Sequence, residues 1–375
     1  MSLLKFQNRM KRTTYCFLTL FVMMYLLSAC SQKEEQGGGT AWDCRESNTT
    51  DTIDIQSFFD HASILCLEET EKSRIGQISK IVMADTLVFI ADKRMSRQIF
   101  VFNNRSGRFL NTIGRVGHGP GEYIDITDIA VNPEERMVYV LCEKERVCKF
   151  DFDGKYLGQD RISFFADAME YQDGKFYFAC YRPGHGNVIV TDKELNETKS
   201  HLVNDPDEPV VITVVPLPKS PDGTVSFFRY LDNNIYAIDE NDDLYVRYAV
   251  DLGDNTLTRE EMKGVDKNDV FEIAKSRRCE INTFVENDKY ACIYFLDHNV
   301  SQTSLLNKET GEVTTFTKEN MKDSALGFCS YYLEYAFGDA LACQIGNRRI
   351  REELIENKDC AYGQNPAIYF LHCGK

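Results

Sequence analysis

Six histidines are spread along the 375 residues, and three of them stand in turn-rich segments where a side chain is free to meet a ligand. His118 lies in Gly117-His118-Gly119-Pro120-Gly121-Glu122-Tyr123, His185 in Arg182-Pro183-Gly184-His185-Gly186, and His298 in Asp297-His298-Asn299. Imidazoles converging from three separate loops could hold a zinc-like ion and leave a further position open for water or substrate. The plainer alternative is three exposed loop histidines too far apart to share an ion. His61, His201 and His372 read as ordinary strand or turn residues.

Carboxylates form the second set. Asp128, Asp167 and Glu286 sit at the ends of apolar, strand-like runs. Lining a channel, they could bind a divalent cation such as Ca²⁺ or the hydroxyls of a sugar. The alternative is that they are solvated at the channel mouth. Arg115, Glu122 and Tyr123 bring a cation, an acid and an aromatic ring to the His118 segment, although Arg115 and Glu122 could simply pair and shape their loop. Other chemistries lack their residues. No Gly-x-Ser-x-Gly elbow is present, so no nucleophile–base triad can be argued. No Cys-x-x-Cys pair gives zinc-knuckle spacing. No helix start follows the glycines at 114–121, which removes a phosphate cradle. No catalytic residue is assigned, and the chain reads as a binder more than as an enzyme.

The elements that must position these groups are strands. Tyr, Phe and β-branched residues cluster in short runs separated by turn pairs, the pattern of an all-β domain of repeated small sheets. The first unit is clearest, with strands expected at 80–84, 87–91, 98–102 and 108–113. The second repeats the scheme at 126–131, 137–142, 147–152 and 155–157, and the third at 168–171, 175–180, 188–191 and 197–202. A fourth is expected at 210–215, 225–230, 235–238 and 245–250, followed by a polar, helix-prone insertion at 258–278. The fifth takes 283–286, 289–295, 303–306 and 312–316. The sixth has strands at 331–335, 340–345 and 367–371 with a helix-like stretch at 348–357, and it lacks a fourth strand. Residues 64–67 have no unit of their own. Placing them on the last sheet gives a six-bladed β-propeller closed by pairing of an N-terminal strand with the C-terminal blade, which removes the exposed edges of an open array.

The N-terminus fixes an address. Lys11 and Arg12 precede an apolar run at 15–27, too short for a mature membrane span and ending in small residues, as in a cleaved secretory signal. The sequence Leu26-Leu27-Ser28-Ala29-Cys30 resembles a bacterial lipobox, in which the Cys30 thiol is lipidated and becomes the new N-terminus. Residues 1–29 are then a signal peptide, 30–51 a flexible tether rich in polar residues and glycine, and 52–375 the propeller. Trp42 falls in the tether and is not expected to form a binding platform. Lys33-Glu34-Glu35 resembles the signal that sends such lipoproteins to the cell surface. The expectation is an outer-membrane lipoprotein exposed at the surface, or otherwise facing the periplasm. Met10-Lys11-Arg12 makes a compact signal start by itself, so either Met1 or Met10 could begin translation.

The net charge of −15 makes nucleic acid a poor partner, because phosphate binding relies on Lys and Arg. It favours a soluble, self-repelling monomer that meets the membrane through its anchor. The 13 cysteines sit mostly inside apolar runs, where each behaves as a small buried hydrophobe, although Cys142 and Cys148 could meet across a hairpin.

One stretch carries a resemblance. Ile113-Gly114-Arg115-Val116-Gly117-His118-Gly119-Pro120-Gly121-Glu122-Tyr123 is similar to the blade junction of NHL-type propellers. More closely, it resembles the six-bladed β-propeller lipoproteins of Bacteroides. Asn365-Pro366-Ala367-Ile368-Tyr369-Phe370 resembles that family's closing strand, and Ile75-Gly76-Gln77-Ile78-Ser79-Lys80-Ile81 its first-blade entry. The resemblance covers residues 55–373, with blades four to six departing from the glycine-rich junction. It implies an envelope binding module for a glycan, a peptide or a protein partner. Some NHL-like propeller lyases use a histidine-held metal, so it also implies the alternative of a metal-dependent lyase or hydrolase working in the central funnel.

Overall fold

Two-residue turns between apolar runs dictate hairpins, and the chain folds as a series of them. Asp173 and Gly174 both take left-handed backbone conformations (φ 49° and 80°), the requirement of a tight turn that matches strand twist. The computed structural model describes residues 38–48, 50–208, 217–327, 331–346, 354–355 and 363–374. The apolar run at 15–27 and Cys30 lie outside them.

Six antiparallel sheets stand in a ring, giving the all-β six-bladed propeller expected from the sequence. Blade 1 runs Lys80–Ala84, Leu87–Asp92, Gln98–Asn103 and Phe109–Ile113 from the channel outward. Blade 2 runs Asp128–Asn132, Met137–Cys142, Arg146–Asp151 and Tyr156–Arg161. Blade 3 runs Ala168–Gln172, Lys175–Ala179, Gly186–Thr191 and Glu197–Val203. Blade 5 runs Arg278–Glu286, Tyr290–Asp297, Val300–Asn307 and Val313–Thr317. Blade 6 has Tyr335–Phe337, Ala340–Ile345 and Ala367–His372, and its outermost strand is His61–Leu65, paired antiparallel with Ala367–His372.

The core lies between blades. Alternation puts one face of each strand on the preceding sheet and the other on the following one, so both faces must be apolar. An apolar layer separates each neighbouring pair of blades. The layer between blades 6 and 1 packs Ile368 and Phe370 with Ile81, Val88 and Ile90. The helix-prone insertion holds a short helix, Lys267–Ala274, and packs Met262, Val270 and Ala274 against Tyr230.

One sequence expectation falls partly outside the described residues, and another needs correction. In blade 4 the described strands are Ser226–Phe227, Asn234–Ile238 and Leu244–Asp251, and the innermost pairing is a bridge between Lys219 and Val225. The inner strand expected at 210–215 lies outside the described residues, as does most of the stretch at 348–357. The correction concerns the tether. Residues 40–51 include Thr40–Asp43, a strand parallel to Leu244–Asp251 on the outer edge of blade 4. Asn48 then bridges to Phe316 on the outer edge of blade 5, and Ile53–Asp54 pairs with Met321–Lys322. An outer edge offers unpaired N–H and C=O groups, and here the chain's own N-terminal segment takes them up. Trp42 is fully buried, with its Nε1–H donated to Ser304 Oγ at 2.9 Å.

Candidate functional site

The innermost strands wall a central channel, and charged side chains are concentrated there rather than on the glycine-rich loop. Lys80, at the start of the blade 1 inner strand, places Nζ 3.1 Å from Asp128 Oδ2 of blade 2 and 3.4 Å from Glu170 Oε2 of blade 3. It also donates to the carbonyl of Met169 at 2.9 Å, so all three of its N–H bonds have acceptors. Lys93, from the loop after the second strand of blade 1, lies 2.6 Å from Asp128 Oδ1. Lys219 of blade 4 reaches Glu170 Oε1 at 3.3 Å and donates to the carbonyl of Tyr171 at 3.0 Å. Asp128 further accepts the backbone N–H of Met169. Burial pushes the Asp128 carboxyl up, and Lys80 and Lys93 outweigh it, holding the group below the usual carboxylate range. Burial likewise disfavours the Lys80 ammonium, and Asp128 and Glu170 outweigh that, raising it.

A second charged cluster closes the blade 5 side. Glu286 is paired with Arg247 at 2.7 Å and Lys308 at 3.1 Å, and it accepts the hydroxyls of Tyr248 and Ser220. Between the clusters lies a cavity of about 320 Å³, within the small end of the range for organic-ligand pockets. Inner strands of five blades line it, with Lys80, Glu170, Lys219, Ser220, Glu334 and Tyr335 as its polar and aromatic groups. Ile81, Val82, Leu217, Val285 and Phe337 supply apolar wall. Glu334 is part-buried, and burial raises its carboxyl above the usual range, with Lys318 as a weaker opposing influence.

The sequence-derived candidates divide. Asp128 and Glu286 are both buried and paired with cations, and neither is among the residues lining the cavity. Asp167 instead ties the junction between blades 2 and 3, pairing with Lys144 at 2.5 Å and accepting the N–H of Tyr181. Arg115 and Glu122 pair at 2.6 Å, and Glu122 also accepts the N–H of Gly119 at 2.8 Å. The Gly119 N–H first, then Arg115, hold the Glu122 carboxyl low. Tyr123, expected as a ligand group, is fully buried and donates its hydroxyl to the carbonyl of Ile113 at 2.8 Å. The glycines serve this same geometry. Gly121 takes φ 75°, and a Cβ at Gly117 would collide with the Glu122 carboxylate. The loop lies over the outer half of blade 2, in a shallow basin with Glu143, Arg146, Tyr156, Gln159 and Arg161, not at the channel.

Nor are the three histidines gathered into one ligand set. His118 is exposed in that basin. His185 is exposed in its blade 3 loop, where its backbone bonds with Arg182 and Asn204. His298 pairs with its neighbour Asp297 at 2.6 Å and reaches Asn255. Among the described residues no three His, Cys, Asp or Glu side chains form a group that could hold a metal ion. The nine described cysteines, Cys142 and Cys148 included, are buried, and Cys142 and Cys148 are not joined in a disulfide.

Sequence reasoning missed Lys80, Lys93, Glu170, Lys219 and Glu334. A signal existed for two of them. Lys80 opens an apolar strand run and Glu170 sits inside one, and a charge buried there needs a partner. Their partners come from other blades, and no local pattern reveals those.

Comparison with known proteins follows the same lines. No curated protein matches the sequence. A crystal structure of a Bacteroides fragilis protein described as exported superposes with a TM-score of 0.71 at 16% identity, covering 90% of this chain and 99% of that one. A member of the DUF4221 family from Bacteroides vulgatus gives a TM-score of 0.49 at 10% identity, covering 88% and 96%. At such identities the likeness is one of fold. The sequence pattern of the family described as "Domain of unknown function (DUF4934)" matches residues 40–371, from the first strand of the N-terminal strap to the closing blade, and the chain belongs to that family.

Proposed function

We propose that this protein is a lipid-anchored envelope β-propeller, NHL-like in its blade junctions, that binds a small polar ligand in its channel, as a free glycan unit or as part of a peptide or envelope partner. One observation carries the reading. Lys219 uses two of its three N–H bonds on Glu170 and Tyr171, and it lines the same cavity as the part-buried Glu334. Structural ion pairs have no need of an open cavity beside them, whereas a ligand site combines apolar wall with a few placed polar groups. Export is supported by the lipobox-like segment ending at Cys30, and the fold relative described as exported agrees with it. The Lys33-Glu34-Glu35 stretch favours display at the cell surface.

Two experiments test the parts separately. Labelled palmitate should enter the wild-type chain and not Cys30→Ala, and protease added to intact cells should remove the protein. A glycan and peptide array probed with the soluble propeller should give hits that Lys219→Met abolishes. Hits unaffected by that substitution would move the site out of the channel.

A further inference from the structure

The charge count around the cavity points to the class of ligand, on the reading that the channel is the binding site. In the cluster about Asp128 and Glu170, three ammonium groups (Lys80, Lys93 and Lys219) face two carboxylates. The other charges nearby offset one another, because Arg247 and Lys308 answer Glu286, Arg247 also pairs with Asp222, and Lys318 faces Glu334. The cluster is therefore one positive charge in excess inside a chain whose net charge is −15. A buried excess charge is costly unless a counter-charge reaches it.

The geometry leaves that excess at Lys219. Lys80 is saturated, and its side chain is only 11% exposed. Lys219 retains one N–H, and its side chain is 31% exposed where it lines the cavity. Glu334 lines the same space from blade 6, with Tyr335 and Phe337 beside it. Glu280, on the blade 5 inner strand, is not among the lining residues.

We propose that the cavity takes the carboxylate end of a small organic acid, with the free N–H of Lys219 as its ionic contact and Tyr335 and Phe337 against its uncharged part. Glu334 lines the same space, with burial raising its carboxyl and Lys318 opposing that; it donates to a bound acid while protonated and repels it once ionised, so binding weakens as pH rises. A cationic ligand would meet Lys219 and would have to displace it to reach Glu170.

Calorimetric titration of the soluble propeller with matched probes tests this: glucuronate against glucose, and benzoate against benzamide, across a pH series from about 5 to about 8. At least one acid should bind while its neutral counterpart does not. Lys219→Met should weaken that binding about tenfold or more, the usual weight of a hydrogen bond to a charged group. Glu334→Gln, which keeps a donor and cannot ionise, should hold its affinity as pH rises, so that the gap to the wild type widens toward the alkaline end of the series. If glucose or benzamide binds as well as its acid and Phe337→Ala abolishes it, the cavity is a ligand site and the acid preference is wrong. If none of the four probes binds at millimolar concentration, both the preference and the channel reading fall.

Discussion

Lys80 Nζ and Asp128 Oδ2 stand 3.1 Å apart across the boundary between blades 1 and 2, on side chains that are 11% and 3% exposed. The pair continues through Glu170 to Lys219, so one chain of charges links the inner strands of blades 1 to 3 with the inner edge of blade 4. Apolar layers hold neighbouring blades together without regard to how the inner strands meet. The charges fix that meeting, since each must find its partner or remain buried alone. Removing one partner leaves the others uncompensated. Lys80→Met should therefore cost about 3–5 kcal/mol in urea unfolding, more than Lys93→Met at the more exposed end of the cluster. Equal losses for the two would mean that the channel is wet enough to screen both.

The strap makes a second, independent prediction. Trp42 fills the layer between blades 4 and 5 with Tyr248 and Phe284, and its indole meets Tyr248 edge-on at 5.5 Å. Trp42→Ala should cost about 3–5 kcal/mol, as for a large core aromatic. At a solvated linker position the change would stay within about 0.5 kcal/mol. Urea denaturation of the soluble propeller separates the two.

These two sites also mark what was legible in the sequence. Blades 1 to 3 were readable because their three inner strands are largely apolar on both faces and are joined by turns such as Asp173-Gly174. The place of the N-terminal strand on blade 6 was readable by elimination, because that sheet lacked a member. The strap was not, since Thr40–Asp43 is flanked by glycines on one side and charges on the other, and its apolar content is one tryptophan whose partners lie more than 200 residues away. The candidate site failed for a related reason. Glycine, histidine and arginine at 114–123 look like ligand chemistry, yet they satisfy one another: Arg115 holds Glu122, Glu122 holds Gly119, and Tyr123 anchors the loop to Ile113. The lysines that face the channel stand singly in their strands, and only the ring brings them together.

The histidines yield a direct test. A metal bound to the native state raises the melting temperature in proportion to its affinity. With His118, His185 and His298 on separate features, Zn²⁺ or Ca²⁺ should leave the melting temperature of the soluble propeller unchanged, and the purified protein should carry no stoichiometric metal. A shift lost in a His118→Ala, His185→Ala, His298→Ala triple variant would restore the metal-dependent alternative.

Asp92 governs stability in acid. Its buried carboxylate accepts the N–H groups of Gly76, Gln77, Met95 and Ser96 and the Ser96 hydroxyl, pinning the entry to blade 1 against the following loop. Burial raises its pKa, and those N–H donors overcome it, so the folded value lies below the unfolded one. The unfolded state then binds the proton more readily, and this stabilisation is complete above the ordinary carboxylate range and lost as pH falls through the folded value. Asp92→Asn turns a donor toward groups that are themselves donors. It should cost about 1–3 kcal/mol near neutral pH, with the gap to wild type narrowing in acid as the wild type loses its own advantage. Urea midpoints across a pH series measure it.

Glu334 should behave in the opposite sense. Its carboxyl is raised by burial, so the folded state holds the proton more tightly than the unfolded chain does. Stability attributable to this group is present at low pH and falls as pH rises from the ordinary carboxylate range through the raised folded value. Glu334→Gln removes the ionisation while keeping the shape. It should match wild type in acid and exceed it near pH 8 in melting temperature, a rare case of a polar substitution in a channel that stabilises. The same substitution lowering stability at pH 8 would mean that the carboxylate is ionised and paired in the folded protein. In that case Glu334 could not serve as a donor to an acid ligand.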